Sequence, residues 1–162
     1  MGDLFHEDVP DDYIVQVFDV MRACAHHIFQ VLTKRSERLS QIDHVIGDWP
    51  ENVWAGVTIE SSDYKARIDH LRKVPAKVRF LSCEPLLDNL GPILQNGIDW
   101  VIAGGESGWG ARELKKAWVT DLRDQCVAQN TQFFFKQWGG TKRKLNGRLL
   151  DGKEWSQYPK AA

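Results

Sequence analysis

Residues 100–119 read WVIAGGESGWGARELKKAWV, and the fold turns on how this stretch is taken. A continuous apolar run ends in a glycine-rich turn carrying Glu106 and Ser107, and a helical repeat follows. The same construction recurs outward along the chain. IFQVLT (28–33), VWAGVTI (53–59), VRFLSC (78–83), DWVIAG (99–104) and QFFFKQW (132–138) are rich in Val, Ile, Phe and Trp. They are mostly continuous rather than alternating, the pattern of strands buried on both faces of a parallel sheet. Helical segments separate them. Residues 11–24 start at Asp11 as cap and put Ile14, Val17, Phe18 and Met21 on one face. In 62–74, Tyr64, Ile68 and Leu71 recur at helical spacing; after GGESG, Leu114, Trp118, Leu122 and Cys126 do the same. The connections after the first and third runs have room only for brief helices. Strand and helix in alternation predict an α/β fold of five parallel strands.

Each run ends on polar residues: Thr33-Lys34-Arg35, Glu60-Ser61-Ser62, Glu84-Pro85, Gly105-Glu106-Ser107 and Lys136-Gln137-Trp138. Parallel α/β folds bind ligands outside the carboxyl ends of their strands. Five charged strand ends in succession point to one polar site, although each alone could be solvated or capping a helix. The candidate lining is Lys34, Glu60, Glu84, Gly104, Gly105, Glu106, Ser107 and Lys136. GGESG does not match the GxGxxG dinucleotide fingerprint, and Glu106 would repel a phosphate. It reads as a loop meeting a cation, hydroxyl or amine, or as a purely structural turn.

The remaining features bound the answer. At 162 residues the chain is the size of one domain with a real core, and its net charge of −1 gives no global pull on nucleic acid. No apolar run is long enough for a bilayer, and MGDLFHEDVP has no apolar signal region. Cys24, Cys83 and Cys126 have no metal or cluster spacing and read as reduced thiols of a cytoplasmic protein. Asp3, His6 and Glu7 could join Glu60, Glu84 and Glu106 in an oxygen-rich Mg²⁺ or Mn²⁺ site of a metal-dependent hydrolase, or simply belong to an acidic helix entry. Lys142, Arg143, Lys144 and Arg148 around Trp138 are a candidate nucleic-acid contact, or a solvated face. NG at 146–147 and DG at 151–152 predict a small hairpin after residue 139, pinned to a barrel-like body (1–139) by Trp155 and Tyr158.

Eight ordered strings, MGDLFHEDVP, FQVLTKRSER, VWAGVTIES, VRFLSCEPLL, DWVIAGGESG, RDQCVAQN, FFFKQWGG and GRLLDGKEW, resemble the uncharacterised phage gp-thirty-seven/sixty-eight family, which is similar to radical-SAM barrel proteins. The resemblance implies an incomplete (β/α) TIM-like barrel equivalent to the C-terminal portion of a longer protein. Family members carry an N-terminal cysteine cluster for an iron–sulfur centre, which this chain does not supply. It implies S-adenosylmethionine as a possible cofactor, without radical chemistry by this chain alone. An open arc would leave two unpaired edge strands, so a homodimer or a complementing chain is expected.

Overall fold

The computed structural model describes residues 2–93, 97–141 and 143–160. In chain order the elements are α1 (Asp11–Ala23), β1 (Phe29–Thr33), the one-turn helices α2 (Ser36–Leu39) and α3 (Asp43–Ile46), and β2 (Val53–Thr58). A 3₁₀ turn at Ser62–Tyr64 leads into α4 (Ala66–Lys73) and β3 (Arg79–Cys83). Then come β4 (Trp100–Gly104), α5 (Lys116–Ala128), β5 (Gln132–Gln137), α6 (Arg143–Asn146) and the hairpin β6 (Leu149–Leu150) and β7 (Lys153–Glu154). The five long strands are all parallel and stand in the order β1-β2-β3-β4-β5, so every strand lies beside its neighbours in sequence. The sheet is open: among the described residues β1 and β5 do not meet. No described helix is long and apolar enough to cross a membrane.

That order places the helices α1 to α5 on one face. Ile14 and Phe18 of α1, Ile68 and Leu71 of α4, and Val119, Leu122 and Cys126 of α5 share one buried cluster. Its strand members are Val53, Ala55, Val57, Leu81, Cys83, Val101, Ala103, Phe133 and Phe135. Successive strand residues point to opposite faces. Trp54, Phe80 and Trp100 therefore look the other way, and with Val78 they make a second cluster that contains no helix residue. Aromatic side chains shield this face in place of a helical layer. Gly56 makes room for them, since a Cβ there would stand 2.3 Å from the Phe80 ring.

Burial on both faces, expected of every run, holds only in the middle of the sheet. β2 is buried throughout, whereas β1 alternates between half-buried and exposed up to Thr33. The expectation of two bare edges also needs correcting. The segment after β7 lies antiparallel on β5: Phe135 N–H donates to Trp155 O at 2.9 Å and Gln157 N–H to Phe133 O at 3.1 Å, with a bridge between Phe134 and Ser156. Of the five long strands only β1 keeps a free side among the described residues.

Three local expectations change. Pro10, not Asp11, occupies the N-cap of α1, because its extended backbone fits there and Asp11 is already helical; the Asp11 carboxylate instead accepts from Arg38 at 2.6 Å. Tyr64 sits in the 3₁₀ turn, half exposed, with the Arg67 guanidinium over its ring. Gly147, at φ 66°, follows the end of α6, so the NG pair closes a helix rather than a hairpin. The DG pair does turn the hairpin: Asp151 (φ 53°) and Gly152 (φ 73°) have the two positive angles of a type I′ turn.

Candidate functional site

A parallel sheet brings all its carboxyl ends to one edge, and the strand-end charges gather there in three separate groups. In the first, Glu60 follows β2 and is almost fully covered. Lys34, after β1, donates to its Oε1, and Arg67 of α4 reaches Oε2 at 3.0 Å while also donating to Thr58 O at 2.7 Å. Burial would raise the Glu60 pKa, but the Lys34 hydrogen bond and the charges of Lys34 and Arg67 outweigh it and hold the group below its ordinary value. Glu60 thus ties β1, β2 and α4 together and has both oxygens engaged.

Asp3 reinforces this corner. It accepts from the Thr33 hydroxyl at 2.7 Å, the Phe5 amide at 3.0 Å and the Arg35 guanidinium at 3.0 Å. Burial again opposes the shift, and these donors, with the Lys34 amide, pull its pKa down. His6 faces Asp8 of its own loop at 3.3 Å. Among the described residues no three His, Cys, Asp or Glu side chains stand together as a metal-binding group. Of the carboxylates proposed for a metal, Asp3, Glu60, Glu84 and Glu106 are each held by a cation instead.

The second group is Glu106 and Arg112. The guanidinium grips the carboxylate with Nε–Oε2 2.8 Å and Nη2–Oε1 2.9 Å, and the Arg112 amide adds a bond of 3.0 Å. These side-chain and backbone bonds lower the Glu106 pKa to about 2. Glu106 therefore closes the base of its own loop, whose tip carries the almost fully exposed Trp109. It does not line the cavity that Glu84 faces.

The GGESG loop (104–108) has its own structural reason. Gly105 N–H donates to Gln137 O at 2.9 Å, Gly140 N–H to Glu106 O at 2.6 Å and Gly108 N–H to Gly140 O at 3.3 Å. Parallel pairing thus continues past β4 and β5 as two loops in backbone contact. A Cβ on Gly105 would lie 2.0 Å from Trp138 O, and one on Gly139 2.1 Å from Glu106 O. Glycine is required at both positions for that approach.

The third group is the best candidate for binding. Glu84 follows β3 on the face without helices. Lys136 donates to its Oε2 at 3.0 Å and Gln137 to its Oε1 at 3.2 Å. The register slips between β4 and β5, Ala103 facing Phe135 but Gly104 facing Gln137, so Lys136 is the extra residue of a bulge. The bulge aims two consecutive side chains at one carboxylate. Gly104 leaves the space that this carboxylate fills, since a Cβ there would be 3.1 Å from Glu84 Oε1. Gln137 also contacts Ser107 Oγ at 3.1 Å, which joins Ser107 to the group.

Beneath this polar rim is a cavity of about 410 Å³, walled by Gln30, Leu32 and Ser82 and floored by Phe80, Trp100, Ile102 and Phe134. Tyr158 completes it from the C-terminal segment, with ring centroids 5.2 Å from Trp100 and 5.3 Å from Phe134. The Trp100 indole Nε1 is buried without a hydrogen-bond partner. A planar apolar body could lie on such a floor while an amine or hydroxyl met Glu84 and an anion met Lys136.

Of the eight predicted site residues, Glu84, Gly104, Lys136 and Ser107 come together here. Lys34 and Glu60 form the structural group beside it, Gly105 packs against the neighbouring loop, and Glu106 turns to Arg112. The sequence reading did not assign Trp100, Gln137, Tyr158, Arg67 or Arg112 to the site, although it had Gln137 at a strand end and Tyr158 pinning the hairpin to the body. The doubled glycines of GG at 104–105 and 139–140 were the one available sign that the two loops touch. Of the candidate nucleic-acid contacts, Lys142 and the side chains of Arg143 and Lys144 lie outside the described residues. Arg148 is engaged, 3.5 Å from Glu154 and over the Phe134 ring.

The fold and site define an α/β domain whose open parallel sheet carries helices on one face and a polar-rimmed aromatic cavity on the other. The chain belongs to the family described as protein of unknown function (DUF5131), whose model matches residues 1–159. No curated protein and no solved structure matches it.

Proposed function

We propose that the chain is the ligand-binding arc of a radical-SAM-like barrel, with the cavity between Glu84, Lys136 and the Trp100 floor as its binding site. The observation that carries this reading is the placement of an ionic pair directly above an open aromatic floor at the carboxyl edge of a parallel sheet. S-adenosylmethionine suits it chemically: an adenine to stack, ribose hydroxyls and an ammonium for Glu84, and a carboxylate for Lys136. The cavity volume falls in the range of small-ligand sites.

An iron–sulfur cluster does not fit the cysteines present. Cys83 and Cys126 are buried in the core, and burial pushes both thiols up, Cys126 to about 12, whereas cluster ligands are thiolates. The proposed role is therefore binding, and no radical step is assigned to this chain.

Calorimetric titration of S-adenosylmethionine into the purified chain tests the reading. Binding should be lost in Glu84→Gln, weakened in Lys136→Met and unchanged in Glu106→Ala. No heat at millimolar ligand, or loss with Glu106→Ala but not with Glu84→Gln, would overturn it.

A further inference from the structure

We propose that Ser36 and His70 form a nucleophilic dyad that hydrolyses small neutral carboxylic esters in a second cavity, between α2 and α4. That cavity shares no lining residue with the one beneath Glu84, so the dyad stands or falls apart from the proposed function.

Ser36 opens α2, just past the end of β1, and His70 lies on α4, 34 residues further on. The two helices pack together, and Ser36 Oγ stands 3.0 Å from His70 Nδ1. With the proton of the neutral ring on Nε2, Nδ1 accepts the hydroxyl hydrogen. A hydroxyl bonded to an imidazole nitrogen is the pairing that activates a serine as nucleophile. The bond is not sealed inside the core. Both residues wall a cavity of about 420 Å³, within the range of small-ligand sites. Ser36 is only 5% exposed, which keeps its hydroxyl largely out of bulk water, and His70 is half-buried.

The rest of the lining supplies charge already held in place. Arg35 bonds Asp3 Oδ2 through Nη1 at 3.0 Å. Arg38 is tied to Val9 O at 2.7 Å, to Asp11 Oδ1 at 2.6 Å and to His6 O. Both guanidiniums are therefore fixed on the cavity wall before a ligand arrives. Cations positioned in advance stabilise a developing oxyanion without reorganising. Phe5 adds an apolar wall for an acyl chain, while Glu7 and Glu37 disfavour an anionic substrate. In the reaction Ser36 Oγ attacks the ester carbonyl carbon as its proton passes to His70 Nδ1. The acyl–oxygen bond to the alcohol then breaks, and the departing alkoxide takes that proton. Water attacks the acyl-serine, giving one proton to Nδ1, and the acyl–Oγ bond breaks as Oγ regains it. Ester and water leave as acid and alcohol, and the dyad returns to its starting state.

Labelling with an alkyl fluorophosphonate, mapped by peptide mass spectrometry, tests this alongside hydrolysis of 4-nitrophenyl acetate. The native chain should carry one adduct, on Ser36, and should turn over the acetate. Ser36→Ala should lose both. His70→Asn is the discriminating variant, because an asparagine oxygen can accept the Ser36 hydroxyl bond but cannot take up its proton. It should keep the native urea midpoint while labelling of Ser36 slows by about a hundredfold, the usual worth of a general base. Should that variant misfold, Arg35→Met in an otherwise native dyad should still slow acetate turnover by about tenfold or more. A folded native chain without a Ser36 adduct would overturn the proposal and leave the bond as a staple between α2 and α4. Equal labelling of Ser36 in native and His70→Asn protein would overturn it too, as would turnover that survives Ser36→Ala.

Discussion

Gly105→Ala isolates the contact between the two glycine loops from everything else in the domain. Its added methyl would sit 2.0 Å from Trp138 O and 2.7 Å from Trp138 C, both backbone atoms that no rotamer change can move. Ordinary packing requires the loops to part by roughly an ångström or more. That displacement carries the bonds Gly105 N–Gln137 O, Gly140 N–Glu106 O and Gly108 N–Gly140 O beyond useful range. Three backbone hydrogen bonds at about 1 kcal/mol each give a loss of about 3 kcal/mol, offset by about 0.5 kcal/mol from the stiffer unfolded chain. The net cost is about 2–3 kcal/mol, or about 5–10 °C in Tm for a domain of this size. Equilibrium urea unfolding followed by tryptophan fluorescence measures it. Gly110→Ala is the control: it has φ 77° but nothing within 4 Å, so it bears only a conformational cost of about 1 kcal/mol. A smaller loss for Gly105→Ala than for Gly110→Ala would refute the reasoning and mean that the loops separate freely.

Two further outcomes follow from the charges and thiols. The Glu106 carboxyl should titrate near pH 2 by NMR, and Arg112→Met should return it towards its ordinary value of 4.5. Because the folded pKa is the lower one, the stabilisation from this pair is complete above 4.5 and is lost as pH falls from there through 2. A midpoint unmoved by Arg112→Met would exclude the grip. A thiol reagent should modify only Cys24 in the native protein and reach Cys83 and Cys126 only in denaturant, since those two are buried. Rapid reaction of all three would contradict the core packing.

Five strands, their parallel pairing and the helical stripe of α1 could be read from the sequence because their signals are local. Of the face expected in α5, Trp118, Leu122 and Cys126 fall in the helix, while Leu114 lies before it and the buried Val119 falls outside the expected set. Runs such as VWAGVTI and the spacing of Ile14, Phe18 and Met21 carry their own periodicity. The reading erred where a side chain's fate depends on a distant one. Glu60, Glu84 and Glu106 all follow an apolar run, yet Arg67 saturates the first, Arg112 folds back on the third, and only the second faces an open cavity. Nothing in the order of residues distinguishes them before the helices are placed. Burial of β1 on both faces failed for the same reason: sequential strand order sends α1 to α5 to one side, and the other is shielded by Trp54, Phe80, Trp100 and whatever crosses them. Tyr158, which crosses them, lies more than fifty residues from Trp100, and no pattern links the two.

The Tyr158 contact also bears on the order of folding. Each strand of this sheet finds its partner in the next segment synthesised, so pairing can advance with the growing chain at little cost in loop closure. The aromatic face behaves differently. Trp100 and Phe134 are in place as soon as β4 and β5 join, but the ring that overlies them arrives about two dozen residues after Phe134. A nascent domain thus passes through a stage with its helical side finished and its aromatic side bare, the kind of surface that chaperones engage and that aggregates when they do not. That face is covered only when residues 155–158 settle along β5.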